Sequence, residues 1–222
     1  MDPFALEIMY GPFLCKYIDN PKEISYSPDQ LEIVAKNLEL TIDDSLEQTW
    51  RQGIPSFEWL ATNFKHTLSL DPQTQKTIGL YGGSGYMKMN GELREGKGIA
   101  HLNPVIRTYP PLEHSIRVLR FVETSFALTL PKSGPFLSFG YLSTSFDYYW
   151  SLKDSVETSW YSMLDITVPK GAHAIHLPSD QVELVFSSGV TLNVKNFYKK
   201  LVKIKGKKRV VDWYEMDLIE GS

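Results

Sequence analysis

Across residues 28–68 apolar positions recur at helical spacing, with polar residues between them. Ser27-Pro28-Asp29-Gln30 opens the first helix: serine caps, proline suits the first helical position, and Gln30 stands where a capping box places it. Leu31, Val34, Ala35 and Leu38 then form one apolar stripe that predicts a helix to about residue 40. A second helix is expected over 43–52, ended by Gly53-Ile54-Pro55, and a third over 56–68. From residue 115 the texture changes to short β-rich runs separated by turns. Strands are expected over 116–122, 140–145, 161–168, 174–177, 182–186 and 191–194, and a final hairpin pairs 200–205 with 209–218 around Gly206-Lys207. Helices first and strands after predict an α+β fold with two packed sheets, divided into a helical region over 1–75 and a β-rich core over 76–222.

The join between these halves carries three glycines in four residues, in Leu80-Tyr81-Gly82-Gly83-Ser84-Gly85-Tyr86. A phosphate loop is excluded, because no Gly-Lys-Ser/Thr ending follows, and the dinucleotide fingerprint needs another glycine spacing within a βαβ unit. The glycines instead predict a tight connection between helices, the next running over 87–94 and closed by Gly96 and Gly98. A formal net charge of −3 gives no global attraction to nucleic acid or membranes, so any basic face must be local. The run Lys195, Lys199, Lys200, Lys203, Lys205, Lys207, Lys208 and Arg209 reads as a solvated hairpin whose lysines discourage edge pairing. Cys15 is the only cysteine, which excludes an internal disulfide and a cysteine zinc cluster. The five histidines lack metal-site spacing, so no metal is expected. The first residues show no export signal and no run reaches membrane-span length; a soluble chain acting in a cytosol is the expectation.

Three signals in fixed order remain: an arginine within a strand at Arg120, Ser143-Thr144-Ser145 at the end of another, and Gln181-Val182-Glu183 opening a third. This ordered set resembles the motifs of mono-ADP-ribosyltransferase toxins, in the Gln-x-Glu form found among Rho-modifying exoenzymes. The surroundings agree. The Leu80–Arg94 stretch resembles the family's helix after a Tyr-x-Gly-Ser-Gly-Tyr turn, Phe139-Gly140-Tyr141-Leu142 its lead into Ser-Thr-Ser, and Val168-Pro169-Lys170-Gly171 the link before the last motif. The resemblance implies an ADP-ribosyltransferase-like split two-sheet β core behind the N-terminal helical region. It also implies NAD+ as substrate and a glycosyl transfer of ADP-ribose to a host macromolecule, as a toxin or effector acts. A host protein acceptor and a monomeric enzyme are expected.

The residue types suit that chemistry. An arginine fork binds pyrophosphate oxygens through paired, charge-assisted hydrogen bonds that lysine does not reproduce, a role the resemblance gives to Arg120. Breaking the nicotinamide–ribose bond develops positive charge on the sugar, which a carboxylate stabilises; the resemblance gives this to Glu183, held by Ser143. Thr144 and Ser145 would shape the strand and the nicotinamide pocket. Gln181 and Glu183 share one face of a strand, so one would meet the acceptor and the other the sugar. Glutamine orients an amide acceptor but is no base at neutral pH, which points to an asparagine or glutamine acceptor.

Alternatives stand beside these assignments. Arg117, expected on the same face as Arg120, and Arg107 are rival arginines; Arg120 is preferred because Val118-Leu119-Arg120 aligns with the family's strand. The loop between Gly171 and Gln181 is shorter than in the Rho-modifying enzymes, which implies a different target. The segment 146–154 offers Phe146, Tyr148, Tyr149 and Trp150 with Lys153 as its only cation; one aromatic would stack on nicotinamide, and core packing is an equal alternative. Two rival functions remain: an NAD+ glycohydrolase in which water replaces the acceptor, and a catalytically silent partner-binding module on the same fold.

Overall fold

A computed structural model of the chain describes residues 55–127, 129–146, 162–177, 183–204 and 207–219. The expected helices over 28–40 and 43–52 lie outside the described residues, as do Gln181, Val182 and residues 147–161. The described helices are α1 (Phe57–Ser69), α2 (Pro72–Leu80), α3 (Tyr86–Arg94), α4 (Leu102–Ile106) and α5 (Thr124–Ala127). The strands are β1 (Ile116–Val122), β2 (Gly134–Ser138), β3 (Leu142–Ser145), β4 (Ser162–Val168), β5 (Ile175–Leu177), β6 (Glu183–Phe186), β7 (Val190–Ile204) and β8 (Lys207–Ile219).

The strands follow the order β2-β7-β8-β4-β1-β3-β6-β5, antiparallel except for the parallel pair β4 and β8. β1 pairs with β4 over seven registered positions but meets β3 at only one, Leu119 opposite Ser145. That narrow seam divides the five strands from β2 to β1 from the three-stranded group β3-β6-β5, which is the form the expected split core takes. One apolar cluster, including Val118, Ile166, Leu184 and Met216, fills one side; a second gathers Ile78, Tyr81, Leu102, Tyr109, Tyr141, Ile175, Leu177 and Val185.

α1 matches its expected position. The Ser56 hydroxyl accepts from the Trp59 amide at 3.1 Å and caps the helix. Trp59 is buried in the first cluster, and its indole N–H donates to the carbonyls of Pro110 and Pro111 at 3.2 and 3.0 Å. Fully buried Asn63 serves as a surrogate strand for the edge of β5: its Nδ2 donates to the Ala174 carbonyl at 2.8 Å, and its Oδ1 accepts from the His176 amide at 2.9 Å. Replacing Asn63 by alanine leaves two backbone groups of that edge without a partner. Asn63→Ala is therefore expected to lower unfolding free energy by about 2–4 kcal/mol in a urea titration; a loss under about 0.5 kcal/mol would show the edge finds other partners.

Helical structure continues past the expected end at residue 68 to Leu80 because Asp71-Pro72 restarts it: Asp71 Oδ1 accepts from the amides of Gln73 and Thr74, each at 3.0 Å. The glycine run Tyr81–Gly85 is a kinked connection between α2 and α3, with Gly83 outside helical geometry, as the helix-connection reading required. Gly85 is obligatory there, since a Cβ would stand 2.7 Å from the Leu80 carbonyl oxygen. Two expectations need correcting. The strands at 191–194 and 200–205 are one strand, β7, because a bulge between Val194 and Asn196 absorbs the break in alternation and pairing with β8 continues beyond it. β2 was not anticipated: Gly134 and Pro135 argue against a strand, yet Pro135 is tolerated because β2 pairs only with β7, at an edge.

Candidate active site

β3 and β6 pair with Ser143 opposite Val185, Thr144 opposite Leu184 and Ser145 opposite Glu183, while β5 sets Ile175 beside Val185 and Leu177 beside Glu183. Alternation therefore puts Ser143, Ser145 and Glu183 on one face with Ile175, Leu177 and Val185, which pack in the cluster holding Tyr81 and Tyr141. On that face the Ser143 hydroxyl donates to Glu183 Oε1. Thr144 points the other way. It is buried, and its hydroxyl donates to the Leu184 carbonyl at 3.0 Å, tying β3 to β6 from the core side.

Arg120 reaches the same region from β1. Its Nη1 donates to the Tyr141 carbonyl, just before β3, at 3.4 Å. Burial lowers its pKa, as does repulsion from Arg94, while attraction to Tyr81 and Glu183 opposes the shift. Glu183 answers in kind: burial raises its carboxyl above the ordinary value of 4.5, and the Ser143 hydrogen bond and the Arg120 charge pull it back. Burial pushes the Tyr81 phenol up to about 12, so it is a neutral hydroxyl in the physiological range. The Glu183 carboxyl and the neutral Tyr81 phenol thus lie within electrostatic reach of the Arg120 guanidinium, on which exposed Arg94 also acts.

The rival arginines are placed elsewhere. Arg117 and Arg120 are three residues apart, an odd spacing, so the expectation that they share a face is corrected: strand geometry sends them to opposite faces. Arg117 Nε and Nη2 both engage the Asp165 carboxylate, which also accepts from the Trp213 indole at 2.9 Å. Arg107 is exposed, one residue past α4. Phe146 is buried in the first core cluster, its ring centroid 6.0 Å from that of His176. His173 Nδ1 lies 2.6 Å from the Tyr109 carbonyl oxygen. Lys195 and Lys199 of the basic run pair with Asp217 and Asp212, each at 2.7 Å.

Sequence reasoning gave no role to Arg94, Asn90, Tyr81 or Tyr141, all of which stand at or behind this site. A basic residue closing a helix and an asparagine within one are ordinary in sequence. The available signal was spacing: Asn90 and Arg94 are four apart on α3 and so share a face.

No protein-family model matches the chain, and no curated protein matches its sequence. Solved structures do match its fold. The enzymatic component C2-I of the Clostridium botulinum C2 toxin superposes with a TM-score of 0.59 at 16% identity, covering 76% of this chain and 48% of that one. This chain thus spans about half the length of that component. C3stau2 from S. aureus, determined with NAD, gives 0.57 at 14% identity over 76% of this chain and 98% of its own. Plx2a, an ADP-ribosyltransferase toxin from Paenibacillus larvae, gives 0.54 at 18% over 82% and 100%. The chain has the fold of the bacterial ADP-ribosyltransferase toxins.

Proposed function

We propose that the protein is a mono-ADP-ribosyltransferase that cleaves NAD+ and transfers ADP-ribose to a host protein, at an asparagine or glutamine side chain. The observation that carries this reading is the Ser143–Glu183 hydrogen bond facing Arg120, within a fold shared by ADP-ribosylating toxins. Arg120 is desolvated and is repelled by Arg94, which suits an anion there; a bound pyrophosphate would relieve that repulsion. Ser143 holds Glu183 in one orientation, and the carboxylate would stabilise positive charge gathering on the ribose as the nicotinamide bond lengthens. The bonding pair leaves with nicotinamide, which becomes neutral. The acceptor amide nitrogen supplies the pair for the new bond to the same carbon and loses a proton. Gln181, two residues before Glu183, would orient that amide.

The test is incubation of the protein with labelled NAD+, with and without a eukaryotic and a bacterial lysate, comparing nicotinamide release with label retained on macromolecules. A labelled protein band that Glu183→Ala abolishes is expected. Nicotinamide release without retained label would instead establish a glycohydrolase, and neither signal would favour a silent binding module. Gln181→Ala is expected to cut transfer by about tenfold or more while changing hydrolysis by less than about twofold. Equal losses would remove Gln181 from acceptor recognition.

A further inference from the structure

Asn90 is a buried polar side chain that the proposed chemistry does not use. Its Nδ2 donates to the Tyr81 hydroxyl at 3.2 Å and its Oδ1 accepts from the Tyr141 amide at 2.8 Å. The carbonyl of that same Tyr141 receives Arg120 Nη1, and the Tyr141 hydroxyl accepts from the Leu102 amide at 2.8 Å. The two tyrosine rings meet edge to face, centroids 5.3 Å apart. Gly140 makes the approach possible, because a Cβ there would stand 3.0 Å from Asn90 Oδ1. One amide therefore ties α3 both to the residue that holds Arg120 and to the phenol that feels Arg120 and Glu183. Only a carboxamide both donates and accepts from one planar end, which explains asparagine in place of an apolar core residue.

We propose that Asn90 is a positioning residue for the anion subsite, setting the Arg120 guanidinium through the Tyr141 residue and fixing the Tyr81 hydroxyl beside it. The proposal rests on the reading of Arg120 as the pyrophosphate ligand. A general packing role would lower stability without regard to Arg120, whereas positioning couples the two residues.

The experiment is calorimetric titration of the full chain with inorganic pyrophosphate and, separately, with NAD+. Wild type, Asn90→Leu, Arg120→Lys and the double variant are compared, with folding checked by circular dichroism. Asn90→Leu is expected to weaken pyrophosphate and NAD+ by about tenfold in the wild-type background and by less than about twofold when Arg120 is already lysine. An equal loss in both backgrounds, or no loss in a folded Asn90→Leu protein, would overturn the proposal. Should Asn90→Leu not fold, Gly140→Ala, which crowds Asn90 away from Tyr141 and leaves the amide present, carries the same comparison. Pyrophosphate binding with the expected coupling, but no NAD+ binding, would sink the NAD+ reading and support the positioning role. Failure of wild type to bind either ligand would overturn both.

Discussion

Glu183→Gln is expected to lower the rate of NAD+ cleavage by about a thousandfold, roughly 4 kcal/mol of transition-state stabilisation, while NAD+ affinity changes little. The substitution keeps the size of the side chain and an acceptor for the Ser143 hydroxyl but removes the negative charge. Glu183 is half-buried at the site where Arg120 also reaches, so its charge acts at short range with little water to screen it. Burial raises its pKa, and the ionised form is the active one, so cleavage should fall as pH drops through that raised value. The acid limb should vanish in the glutamine variant. Stability runs the other way: between the unfolded value near 4.5 and the higher folded value the native state binds more protons, so this group's contribution worsens as pH rises. Glu183→Gln should accordingly melt at or above the wild-type temperature at neutral pH, the difference fading toward pH 4.5. A folded variant with wild-type turnover would take Glu183 out of the mechanism.

How far the sequence reached differs between strand pairs and through-space contacts. Ser143 and Glu183 were legible through the ordered motif set and the resemblance it carries, and alternation fixes their face once the β3–β6 pairing is known. The same alternation turns buried Thr144 away from Ser143 and Glu183, although it was expected to shape the nicotinamide pocket together with Ser145. Strand β1 was legible in its bounds, but the side each arginine takes follows from an odd spacing of three, and the face of Arg117 is confirmed only by Asp165, which comes from β4. Asn90 and Arg94 were illegible for a different reason. Their four-residue spacing shows that they share a helix face, but not what that face meets: Asn90 accepts from the Tyr141 amide, 51 residues on in the chain. Likewise β2 hid behind Gly134-Pro135, and β7 hid behind its bulge, since both break the local rule that tertiary pairing then overrides.

The opposite behaviour of Arg120 and Arg117 supplies the second large effect. Arg120→Ala should weaken NAD+ and inorganic pyrophosphate by about a hundredfold each, roughly 2.8 kcal/mol, the scale of a lost charged hydrogen-bond pair. Arg120→Lys should recover only part of that, because an ammonium group keeps the charge and loses the planar fork. Arg117 carries the same guanidinium on the same strand, yet its Nε and Nη2 both engage Asp165. Removing it would strand a buried carboxylate that Trp213 alone then serves, so Arg117→Ala should destabilise the fold while the folded fraction binds pyrophosphate as before. Calorimetry with pyrophosphate separates the two without catalysis. If Arg117→Ala lost affinity and Arg120→Ala kept it, the anion subsite would lie on the other face of β1, and Glu183 would have no phosphate-binding arginine opposite it.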